Sequence, residues 1–100
     1  MNLNIKDTEV ELKYTLRALF LFEKIKGCAF SLNTLLDEYL FFYCLILANN
    51  KEIDMTFDDF IDILDADITL MSKYKEFLQK EMERQNVYDS EEHVDNKKKL

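Results

Sequence analysis

The chain has 100 residues, enough for one domain built around one modest core. Apolar residues make up 48% of it and aromatics 13%, eight of them Phe, which excludes a disordered protein short of the apolar surface that offsets chain entropy. A net charge of −7, with no continuous basic surface and only the short run Lys97-Lys98-Lys99 at the end, argues against nucleic acid or an anionic membrane as partner.

With one Gly and no Pro, the pattern predicts a mainly α fold: about four helices preceded by an N-terminal β-hairpin. Residues 1–85 form the single helical domain and 86–100 a flexible polar tail. The hairpin is expected over about residues 2–14, where Leu3 and Ile5, then Val10, Leu12 and Tyr14, share one face. Lys6-Asp7-Thr8-Glu9 would be its polar turn, without the Gly that tight hairpins favour.

Thr15 is placed to cap the first helix, with Tyr14 and Leu19 as a hydrophobic staple. Ala18, Leu21, Phe22 and Ile25 form one stripe at helical spacing, and Leu16, Leu19 and Phe20 form a second beside it. Lys24 and Lys26 suit the negative helix end, and Gly27 the left-handed stop. The second helix begins between Ser31 and Thr34, with Thr34 and Asp37 resembling a capping box. From Leu35 to Leu47 it is apolar on nearly every side and must be surrounded, by its own domain or by a partner. Its longest apolar run, Tyr39–Ala48, is half a membrane span and reads as a core helix.

Thr56 with Asp59 predicts a capped third helix, with Met55 and Phe60 as staple. Phe57, Phe60, Ile61 and Leu64 make its inner face, and Asp58, Asp62 and Asp65 its outer one. Asp67 is placed to cap a fourth helix running to about Gln85, with Ile68, Met71, Tyr74, Leu78 and Met82 facing inward.

Catalytic chemistry is hard to find. The sole histidine, His93, falls in the tail, away from any nucleophile or carboxylate on a fixed scaffold. Gly27 alone cannot build a phosphate-binding loop. The acids of Glu52–Asp67 lack the alternating ligand spacing and the glycine of a calcium loop, so they read as a solvated acidic face. The aromatic residues around Tyr39 and Tyr43 read as core. Cys28 and Cys44 read as buried small hydrophobes rather than a disulfide. No catalytic, cofactor or metal site is therefore expected, and no secretory leader is evident, which points to the cytoplasm. What remains is a surplus of apolar surface on so small a body. Part of it, from Leu16, Leu19 and Phe20 and one side of Leu35–Ala48, would face a protein partner or another copy; the alternative is a well-filled monomer core.

The stretch LNIKDTEVELKYTLRALFLFEKIKG, followed by FSLNTLLDEYLFFYCLILAN and MTFDDFIDILDAD, resembles the tail assembly chaperones of long-tailed bacteriophages and prophages. The likeness covers about residues 3–80 as a pattern, and departs from it at the turn, where Asp7-Thr8 stands in place of a Gly. It implies a non-enzymatic factor that coats the long, helical tape-measure protein before the tail tube polymerises around it. Leu16, Leu19, Phe20, Phe41, Phe42 and Leu45 would then contribute the binding surface, apolar walls holding an amphipathic segment. Two alternatives stay open: a structural or completion component of the phage particle, and a small helical regulator acting through protein contacts.

Overall fold

A computed structural model describes the backbone of residues 1–99 and the side chains of residues 1–84. Strands β1 (Asn2–Ile5) and β2 (Thr8–Glu11) pair antiparallel, with Leu3 opposite Val10 and Ile5 opposite Thr8. The turn is tighter than the four polar residues suggested: only Lys6 and Asp7 lie between the strands, at φ 50° and 63°. Positive φ at both central residues is the backbone that matches the right-handed twist of a two-residue hairpin. Leu3, Ile5, Val10 and Leu12 all point into the core.

Four helices follow: α1 (Leu16–Lys26), α2 (Leu35–Asn49), α3 (Phe57–Ala66) and α4 (Thr69–Lys99). Their ends carry the expected chemistry. The Thr15 hydroxyl accepts from the Ala18 amide, and Gly27 closes α1 in the left-handed region at φ 77°. Thr34 with Asp37, and Thr56 with Asp59, form complete capping boxes. Asp67 works at two helix ends: its N–H donates to the Ile63 and Leu64 carbonyls of α3, and its carboxylate accepts from Thr69 at the start of α4. The fourth helix, expected to end near Gln85, continues along the backbone to Lys99; the side chains of the stretch expected as a tail lie outside those described.

α2 is the centre of the molecule, and every residue from Leu40 to Ile46 is buried. Its own domain surrounds it. On one side Phe41 meets Tyr14, Phe22 and Phe30 edge to face. On the other, Phe42 stacks on Tyr74 of α4 with ring centroids 4.5 Å apart and meets Phe60 of α3 edge to face. Burial of this kind supplies most of the driving force for folding, and the ring geometries add about 1 kcal/mol per pair.

Two polar devices tie these layers together. Asn50, buried at the end of α2, accepts from the Glu11 N–H at 3.0 Å. Its amide nitrogen donates to the Glu11 carbonyl at 2.9 Å and to that of Ile46 at 2.8 Å. One side chain thus occupies the place of a third strand beside β2. Asn49 adds a bond to the Lys13 carbonyl. At the opposite end of α2, the buried Asp37 carboxylate pairs with Lys26 and accepts from the Asn33 and Thr34 amides. Lys26 was expected to serve the helix dipole alone; it also pins the end of α1 to the start of α2.

Candidate protein-binding surface

Helices α1 and α2 run antiparallel, since Lys26 meets Asp37 at one end and Lys13 meets Asn49 at the other. That geometry sorts the six residues assigned to binding. Phe41, Phe42 and Leu45 are fully buried, so they are core and not surface. A helix that is apolar all round carries no phase by which sequence could tell an exposed side from a buried one. Leu19 is half-buried against the core. Leu16 and Phe20, one helical turn apart, are 67% and 63% exposed, on an outer face they share with Arg17 and Lys24.

A second apolar surface was missed. Leu35, Leu36, Ile68 and Met82 are all more than half exposed, although Ile68 and Met82 were expected to face inward. Tyr74 is buried as expected, joined by Leu70 and Phe77, and Met71 and Leu78 are half-buried against the core. Met82 lies beside the first turn of α2, where only the exposed Leu35 stands across an open cleft from it. In α3 the core takes Phe60, Ile63 and Leu64, while Phe57 and Ile61 are half-buried.

Leu35, Ile68 and Met82 line two neighbouring hollows. Leu35 of α2 faces Met71, Leu78 and Met82 of α4 across an open cleft of about 490 Å³, with Glu38, Lys75 and Glu83 at its rim. Met71 also borders a neighbouring hollow of about 320 Å³ between Tyr39, Ile61, Leu64 and Ile68. Together they make an apolar channel with a polar margin along α2, α4 and the end of α3. Methionines suit such a channel because unbranched, polarisable side chains adapt to irregular apolar partners.

Titratable groups near the surface serve structure. Tyr74 donates to Glu38 at 3.0 Å, and burial, then the Glu38 charge, raises its hydroxyl far above the ordinary range. Burial pushes the Cys44 thiol up to about 12, so it stays protonated and inert. Cys28 is free and exposed, against the expectation that both cysteines are buried. Asp58, Asp62 and Asp65 are exposed on α3. Among the described residues, no three His, Cys, Asp or Glu side chains come together as a metal site. Among them, too, no helix is long and apolar enough to cross a membrane. His93 lies outside the described side chains.

Comparison of the chain with models of protein families, with curated proteins and with solved structures returns no match.

Proposed function

We propose that this chain is a non-enzymatic protein-binding assembly factor, of the tail assembly chaperone type, that keeps a tape-measure protein soluble while a phage tail is built. The observation that carries the reading is the apolar channel along Leu35, Met71, Leu78 and Met82. An amphipathic helix laid in such a channel buries its apolar residues at i, i+3, i+4 and i+7 and leaves its polar face to water. A long helical protein awaiting its tube presents that kind of stripe repeatedly. The acidic outer face of α3 adds charge that keeps the loaded complex from associating with itself.

Co-expression with a phage tape-measure protein tests this. The two are expected to co-purify, and the purified phage particle is expected to lack the chain. Leu35→Glu with Met82→Glu, both at exposed positions and so compatible with the fold, is expected to weaken capture by tenfold or more, on the order of the loss when a binding anchor is truncated. Undiminished capture by a folded double variant would sink the groove assignment. Presence of the chain in finished particles would favour the structural-component reading instead.

A further inference from the structure

The outer faces of α1 and α3 carry one pattern with opposite charge. Leu16, Arg17, Phe20 and Lys24 stand at helix steps i, i+1, i+4 and i+8, and Phe57, Asp58, Ile61 and Asp65 repeat those steps. At 3.6 residues per turn, each set puts its two apolar residues along one line and its two charges along the same flank of that line. The charges of each set stand at i and i+7 of one another, about 10 Å along the helix axis. None of the four takes part in an ion pair among the described residues. Both faces look to solvent on different sides of α2, so they do not meet within one molecule.

The acidic face also offers a seat for an aromatic ring. Ile61, Asp65 and Ile68 edge the hollow of about 320 Å³ described above, and Asp65 is the sole charged residue lining it. No cation of the molecule's own competes there. Ile68 is 80% exposed. On α1, Phe20 is an aromatic ring left uncovered, with Leu16 one turn before it.

We infer that α1 of one copy docks on α3 of a second copy, the two helices antiparallel and Phe20 seated in the hollow between Ile61 and Ile68. Arg17 then meets Asp65 and Lys24 meets Asp58, both pairs at once because the spacings match. The antiparallel order follows from the shared pattern: two helices with their charges on the same flank bring apolar line onto apolar line only when one is inverted end to end. Two α3 faces repel each other, as do two α1 faces, which disfavours the like-on-like contacts. Each copy joined in this way leaves an α1 face open at one end of the assembly and an α3 face at the other, so copies add head to tail. The contact does not rest on the binding function proposed above, but it shares one hollow with that channel. A partner helix lying there displaces Phe20 and leaves surface ion pairs alone, which contribute little. Association therefore belongs to the free protein, and loaded copies stay apart.

Sedimentation velocity of the full chain, free of partners, from micromolar to millimolar protein tests it. The mean mass is expected to climb past that of two copies and to fall back in about 0.5 M salt, where exposed charges are screened within a few ångströms. Arg17→Glu with Lys24→Glu, and separately Asp58→Lys with Asp65→Lys, change exposed positions. Each double variant, folded by circular dichroism, is expected to associate about tenfold or more weakly on its own, since like charges now face each other. Mixed, the two are expected to regain association, because every α1 finds an α3 of opposite charge on the other variant. Phe20→Ser is expected to lose association with all four charges in place, and Leu35→Glu, outside the hollow, to keep it. Wild type that stays monomeric at millimolar protein, assembly that stops at two copies, or wild-type association by any of the folded charge-reversed or Phe20→Ser variants alone each overturns the proposal. So does a mixture of the two folded charge-reversed variants that stays monomeric, or loss of association in folded Leu35→Glu, which would move the contact to the groove.

Discussion

Helices α1 and α3 start alike and end differently. Each begins at a threonine cap, spans about three turns and presses aromatic residues onto one side of α2. Their outer faces diverge: α1 shows Leu16 and Phe20 among Arg17 and Lys24, whereas α3 shows Asp58, Asp62 and Asp65. Shared inner chemistry follows from a shared neighbour, since both must fill the space beside the same surrounded helix. The outer faces are under no such constraint, and there the difference has to be explained by what the molecule meets.

The strongest way to break this comparison is to empty each inner face in turn. Phe41→Ala on the α1 side and Phe42→Ala on the α3–α4 side are each expected to cost about 3–5 kcal/mol, as for other buried aromatic truncations. Denaturant unfolding should show nearly equal losses. A loss below about 1 kcal/mol at either site would mean that the corresponding helix is not held through its aromatic contacts.

Next in size is the polar tie that α3 lacks. Asn50→Ala strips partners from the Glu11 and Ile46 backbone, and about 2–4 kcal/mol of destabilisation is expected, given about 1–3 for each buried group left unsatisfied. Hydrogen exchange should show the hairpin loosening ahead of α3. If α3 loosens first, Asn50 is not the clamp between hairpin and bundle.

The ion pair at the far end of α1 supplies a pH signature. The hydrogen bond from Lys26, then those from the Asn33 and Thr34 backbone, hold Asp37 down at about 2. A carboxyl depressed in the folded state stabilises above its unfolded value, and the benefit fades as pH falls toward the folded one. Wild type is therefore expected to lose thermal stability between about pH 4 and pH 2, while Asp37→Asn starts lower and changes less over that window. Parallel melting curves for the two across that range would contradict the assignment.

The smallest effects separate the two helix ends. Gly27→Ala is expected to cost about 1 kcal/mol through left-handed backbone strain alone, because a Cβ there meets nothing within 4 Å. Thr56→Ala should cost a similar amount, about 1 kcal/mol, by removing a cap. Chemical melts resolve both, and a markedly larger loss at Gly27 would reveal crowding that the open surroundings do not contain.

Features that depend on near neighbours were legible in the sequence. Thr34 with Asp37, Thr56 with Asp59, and Gly27 after Lys26 all act within a few residues, and each bounds a helix where the pattern placed it. Features that depend on distant partners were not. Asn50 reads as a mere helix stop until Glu11, 39 residues earlier, arrives beside it. Phe41, Phe42 and Leu45 were misread as surface because α2 offers no polar side to set its rotation. Met82 was misread as core because a helical stripe says nothing about where the partner helix ends. The groove was illegible for the same reason: it is made by Leu35 of α2 and Met82 of α4, which the sequence does not show to be neighbours.

The burial of Cys44 has a practical consequence. With Cys28 exposed and Cys44 sealed inside α2, a thiol reagent has one ready target in the folded chain and gains a second only when the bundle comes apart. A slow second round of labelling would then clock how often this molecule opens on its own, and a bound partner would slow that clock.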